Sequence, residues 1–258
     1  MARTEPTEPR TAQDSTKRDF PFYAGNPILL RGRQWTVVLL GVAIGFALLA
    51  LLPVPGPALL GQWVRALVFM AVPLAALALV AGRHWTALFH RVGWKDVGLM
   101  VGFAVLNTLV SIVIGSVVLS TAGAEANPVG GALQDMGTGE RLLMFASMIP
   151  QLIGEELLTI LPFLALLYLG VTRLGRTRRG TIIVAWVATA VLFGAVHLPT
   201  YDWNLVQCFV VIGVARIILT IPYLITKNLW VCAGAHILND WLQFGFGLFA
   251  GSMLLVNL

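Results

Sequence analysis

Apolar residues gather into long, continuous runs separated by short polar breaks, with no alternation of apolar and polar positions. Eight runs stand out, over residues 35–52, 63–81, 97–119, 141–169, 181–197, 205–226, 229–244 and 246–258. A hydrocarbon core of about 30 Å takes about 20 residues of helix. A transmembrane barrel would instead show short alternating segments. The pattern predicts an all-α fold, a polytopic membrane helix bundle of about eight transmembrane helices. The last run is short and reads as a half-span or a lid over the seventh. Pro53-Val-Pro-Gly-Pro57 breaks the first run from the second, and no internal repeat is visible. Residues 1–34 are polar and rich in Thr, Pro, Glu and Arg. This stretch is too long and too acidic for the n-region of a signal peptide. It reads as a mobile tail, with Phe20-Pro-Phe-Tyr23 at the membrane interface, ahead of a single transmembrane domain over 35–258.

Composition supports the membrane reading. Hydrophobic residues make up 58% of the 258 positions and charged residues 11%, against about 25% charged in soluble domains. A net charge of +5 in a soluble protein would suggest nucleic acid as partner. Here the basic residues lie between apolar runs, so they orient the chain in the bilayer and no nucleic-acid partner is expected. Arg83, Arg91 and Lys95, four arginines within 173–179, Lys227 and the N-terminal tail share one side if the N-terminus is cytoplasmic. The opposite connections, such as 121–140, are acidic or uncharged. An eight-span layout in the cell membrane, with both termini cytoplasmic, satisfies every loop. The Ala-, Gly- and Val-rich compact chain has a bacterial character. Cys208 and Cys232 lie in apolar runs and read as small core residues.

Several ionisable residues then stand where a bilayer does not favour them. Each charge at the bilayer centre costs from about 2.5 kcal/mol upward. Glu155 and Glu156 lie in the fourth run, which is too long for one straight span at about 1.5 Å per residue. Pro150 and Pro162 bracket them as two weak points. His197 ends the fifth run, Gln207 and Arg216 lie in the sixth, and His236, Asn239 and Asp240 in the seventh. His236 and Asp240 are four apart and share a helix face. The adjacent glutamates point about 100° apart, so only one can face a given reaction centre. The other needs a different partner, and Arg216 is the arginine that lies well inside a span.

Missing motifs narrow the chemistry. There is no His-Glu-x-x-His helix and no Gly-x-Ser-x-Gly context. No Gly-x-Gly-Asp follows Tyr201-Asp202. Glu plus His remains, a pair able to hold and deprotonate a water while a second His and an amide or acid stabilise an oxyanion. Glu155, His197 and His236 also resemble a His₂Glu zinc set. A scaffold that binds a peptide or partner membrane protein without catalysis fits the same residues. A transporter would show inverted repeats or paired broken helices.

Glu155-Glu156, Phe193-Gly-Ala-Val-His197 and His236-Ile-Leu-Asn-Asp240 resemble, in order and internal spacing, the three motifs of the CPBP family. That family groups type II CAAX prenyl endopeptidases with bacteriocin-processing and immunity proteins. Its pattern is Glu-Glu-x-x-x-Arg, Phe-x-x-x-His and His-x-x-x-Asn or Asp. The resemblance covers about residues 148–244. It implies eight helices and an intramembrane glutamic endopeptidase needing neither metal nor cofactor. Its substrate would be a peptide or membrane-protein segment, such as a prenylated peptide or a bacteriocin precursor. Carried over, Glu155 is the general base, His197 positions the water, His236 and Asp240 line the oxyanion side, and Glu156 is the supporting acid. Two positions depart from the pattern. Ile160 stands where the first motif ends in Arg, and Asp240 stands where Asn is commoner. We expect Arg216, from a neighbouring helix, to replace the missing arginine and hold Glu156, and Asn239 to be available where a neutral amide is needed.

Overall fold

The structure, a computed structural model, describes residues 18–256, with side chains through residue 249. Among the described residues there is no strand. Eight α-helices follow in order: α1 (Gly32–Leu51), α2 (Ala58–Ala81), α3 (Trp94–Ala122), α4 (Pro128–Asp135), α5 (Thr138–Leu167), α6 (Arg178–Val196), α7 (Gly213–Thr226) and α8 (Leu229–Val256). Among the described residues six segments are long and apolar enough to cross a membrane: α1, α2 with the turn after it, α3, α5 with its π-helical extension to Arg173, α6, and α7 with the π-helical turn Gln207–Ile212 before it. The protein is an all-helical membrane bundle.

α5 is the central helix. In its most apolar window 78% of residues are buried, against 11% in α3. α5 carries Gln151, Glu155 and Glu156, polar groups that lipid does not favour and that need partners from other helices, and α2, α6, α1 and α8 pack around it. It runs through Pro150 and Pro162 without a break in its helical assignment. Gly154 lets α2 approach closely beside the two glutamates, because a Cβ there would stand 2.6 Å from the Phe69 ring. α3 lies against α8, α7 and the turn before α7.

Two expectations need correction. The runs 229–244 and 246–258 form one helix, α8, of 28 residues, and residues 257–258 lie outside the described ones. Gly245 and Gly247 do not end it, since glycine is common in membrane helices, where every backbone group needs an internal partner. The eighth helix of the bundle is instead the short α4. Continuity also takes the end of α8 to the far end of the bundle from its start, so the chain does not return as the layout with both termini on one side requires. The second correction concerns the tail. Residues 1–17 lie outside the described ones, but 18–31 pack against the bundle. Phe20, Phe22, Tyr23 and Leu30 are buried in the main core. The Phe20 ring lies 5.3 Å from Phe163 and 5.8 Å from Tyr223, with Lys227 Nζ 4.9 Å from its centroid. Asp19 ties the segment to Arg178 and Tyr23. Aromatic area overrides a polar surrounding composition here, because burying a Phe side chain stabilises by about 1.5–3 kcal/mol.

Candidate active site

The two glutamates, adjacent on α5, have different surroundings. Glu156 is fully buried and faces α7 and α8. Arg216 of α7 grips it with both ends of its guanidinium, Nη1 to Oε1 at 2.6 Å and Nη2 to Oε2 at 3.0 Å. The arginine is equally buried. Its Nε donates to Thr220 Oγ1 at 3.1 Å, and its Cζ stands 5.1 Å from the centroid of the Phe193 ring. The guanidinium thus has partners on its edge and its face, the arrangement a buried arginine requires. Thr220 is one turn along from Arg216, and Ile160, where the motif has Arg, is packed in the core. The pairing expected between Arg216 and Glu156 is therefore present as a bidentate contact across helices.

His236 of α8 links the two glutamates. Its Nδ1 lies 2.8 Å from Glu156 Oε1. An ionised carboxylate only accepts, so Nδ1 carries the proton and donates. That bond sets the ring so that Nε2 faces Glu155 Oε2 at 3.9 Å and Asp240 Oδ1 at 3.7 Å. Both distances exceed a direct hydrogen bond and leave room at Nε2 for a small reacting atom.

Glu155 faces away from Arg216. Its side chain accepts from Gln151 Nε2, one helical turn earlier, at Oε1 and 3.2 Å. Gln62 of α2 in turn donates to Gln151 Oε1. Glu155 lines a cavity of about 380 Å³ together with His197, His236, Asn239 and Asp240. The structure thus brings the three motifs to one cavity. His197, just beyond α6, has Nδ1 2.7 Å from the Phe193 carbonyl. A carbonyl accepts only, so Nδ1 holds the proton and Nε2 is left as an acceptor. Its ring packs 4.5 Å from Phe193 and 6.5 Å from Tyr201. The second motif needs Gly194 between them: a Cβ there would stand 2.6 Å from the Cys208 carbonyl oxygen, so this glycine permits the close approach that carries His197 to the cavity.

Asn239 and Asp240 divide differently from expectation. Asn239 Oδ1 accepts from Asn107 and Thr108 of α3 and from Gln243, while its Nδ2 donates to Asp240 Oδ1 at 2.9 Å. The amide is thus occupied in tying α8 to α3 and holding Asp240. Asp240 is the residue of the pair that faces His236. Gln207 donates to the Glu125 carbonyl and accepts from the Glu125 amide, at 2.9 and 2.8 Å, fixing the α3–α4 connection over the cavity mouth.

Sequence reasoning passed over Gln151, Gln62, Asn107 and Thr108, and considered Tyr201 only beside Asp202. Gln151 carried a signal, since it lies four before Glu155 on one helix face. Asn107-Thr108 is a polar pair within an apolar run. Tyr201 accepts from Asn127 at 2.9 Å, and burial pushes its phenol up to about 12, so it stays a neutral donor in the cavity wall. As for a metal, among the described residues no three His, Cys, Asp or Glu side chains form a ligand set.

Comparison with known proteins bears on the same stretch. No curated protein and no solved structure matches the chain. The family model described as type II CAAX prenyl endopeptidase Rce1-like matches residues 138–242, from the start of α5 to just beyond Asp240, so that it takes in all three motifs. A membrane bundle, three motifs gathered at one buried cavity and that match agree: over residues 138–242 this chain is similar to the Rce1-like type II CAAX prenyl endopeptidases.

Proposed function

We propose that the protein is a membrane-embedded endopeptidase in which Glu155 activates a water against the peptide bond of a membrane-associated or processed peptide. The observation that carries this reading is the division between the glutamates. Glu156 is saturated by Arg216 and His236, whereas Glu155 meets the cavity with one amide donor. A carboxylate that faces a cavity in the membrane, with no direct hydrogen bond from a cation, is placed to take a proton.

In this reading Glu155 removes a proton from water and His197 Nε2 accepts the second hydrogen of that water, which orients its lone pair. The water oxygen bonds to the scissile carbonyl carbon, and the carbonyl π electrons move to oxygen. His236, carrying a proton on Nε2 as well as Nδ1, donates to that oxyanion, with Glu156 holding the ring in place. The tetrahedral centre then expels the amine, which takes the proton from Glu155, leaving a new carboxyl and a new amino terminus. Positioned donors at an oxyanion supply about 3–4 kcal/mol each in other hydrolases.

The test compares peptides in membranes holding the native chain and the Glu155→Gln variant. Products made only by the native chain, and made equally in the presence of a zinc chelator, are expected. Identical peptide sets would leave a non-catalytic, partner-binding protein as the better reading.

A further inference from the structure

The cavity opens at one end of the bundle, and the charge pattern says which face of the membrane that end meets. Its outer wall comes from connections at a single end: Glu125 and Asn127 between α3 and α4, Thr200 and Tyr201 after α6, and Gln207 before α7. Asn204 donating to the Gly123 carbonyl, and Gln207 bonding with Glu125, join these connections to one another. Thr200 and Glu125 are exposed there. In the other direction the path is filled. Ile160, Phe163, Leu164 and Leu167 of α5 are fully buried, and the Phe20 and Tyr223 rings close over Phe163.

The two ends differ sharply in charge. The closed end carries Arg31, Arg83, Arg91, Lys95, Arg176 and Lys227, with further arginines beside Arg176. The open end carries Glu125, Asp135, Glu140 and Asp202, with Arg65 and Arg141 as its basic residues among those described. Short loops rich in Lys and Arg stay in the cytoplasm. We infer that the cavity opens on the extracytoplasmic face, so that its substrate is a polypeptide segment presented at that face and not one carried by a cytoplasmic protein. The choice of substrate rests on the peptidase reading above; the side of the opening does not.

Two measurements separate these. Thr200→Cys at the mouth and Arg176→Cys at the closed end are labelled with a membrane-impermeant maleimide in right-side-out and in inverted vesicles, with the parent chain as blank, since Cys208 and Cys232 are buried. Thr200→Cys is expected to label in right-side-out vesicles and Arg176→Cys in inverted ones. The reverse pattern, or a mouth cysteine labelled in neither, overturns the inference. Glu125→Cys serves in the same way if Thr200→Cys does not accumulate. In parallel, a pool of membrane-impermeant, internally quenched peptides is added to both vesicle types holding the native chain or Glu155→Gln. Cleavage dependent on Glu155 is expected in right-side-out vesicles at least 10-fold above inverted ones. Cleavage only in inverted vesicles overturns the inference. Cleavage in neither, with the expected labelling, removes the peptidase reading and leaves the side of the opening standing.

Discussion

Arg216→Leu is predicted to be among the most destabilising single substitutions in this chain, and Glu156→Gln to undo much of the damage. The leucine removes both guanidinium bonds to Glu156 and the bond to Thr220. Hydrogen bonds to charged groups contribute about 1.5–3 kcal/mol each. Stranding one member of a buried pair typically costs about 3–5 kcal/mol in all. Glu156 would then keep only the His236 Nδ1–H, at a site fully buried from the surface. For a chain of this size the loss corresponds to on the order of 10 °C in Tm. Arg216→Leu combined with Glu156→Gln removes the stranded charge while the amide oxygen still accepts from His236. It should recover all but about 1–2 kcal/mol, the remainder reflecting an amide NH₂ without its partner. Thermal unfolding in detergent, followed by tryptophan fluorescence, measures the four corners of this double-mutant cycle. A single variant that loses under 1 kcal/mol, or a double variant no more stable than the single, would refute the argument that this ion pair holds α5 to α7.

Glu155→Gln should abolish peptide cleavage, by about 10²–10⁴-fold as expected for a lost general base, yet leave Tm nearly unchanged, because glutamine keeps the acceptor for Gln151; a matching loss of stability would reassign Glu155 to structure. Gly194→Ala should lower kcat more than it raises KM, since the added methyl meets the Cys208 backbone carbonyl and moves His197 in the cavity; unchanged turnover would show that α6 can yield there. Phe20→Ala should cost about 3 kcal/mol, within the range for a buried aromatic, readable as a drop in Tm and as new protease cleavage near residue 20. Burial raises the Asp19 carboxyl, but the hydrogen bonds from Tyr23 and Arg178 outweigh it and hold the group below its ordinary value of 3.8. The unfolded chain therefore binds the proton more readily. Its contribution is present in full above pH 3.8 and fades as pH falls through the lower folded value, with a size under about 1 kcal/mol because the pair is partly exposed. Hydrogen exchange at residues 20–23 should accelerate only in that acidic window.

Apolar patterning was enough to read the helices and the polar residues they carry. Long apolar runs leave a chain in lipid little choice but helix, because each unpaired backbone group costs several kcal/mol. The cost of intramembrane charge made Glu155, Glu156, Arg216, His197, His236 and Asp240 legible as groups that must pair, in one polar centre or in several pairs. The same cost made Arg216 the candidate partner of Glu156 once Ile160 was seen in place of arginine. What depends on packing between distant segments was not legible. Whether α8 breaks at Gly245 is decided by neighbours rather than by local propensity, and so is whether Phe20 and Phe22 reach the core from within a polar stretch. Which of two adjacent glutamates faces the cavity is a matter of helix rotation, and only the placement of α7 and α8 around α5 settles it. Asn239 is turned to α3 by Asn107 and Thr108, more than 130 positions earlier in the chain. No periodicity encodes a contact of that separation, because helix spacing reports which residues share a face and not what that face meets.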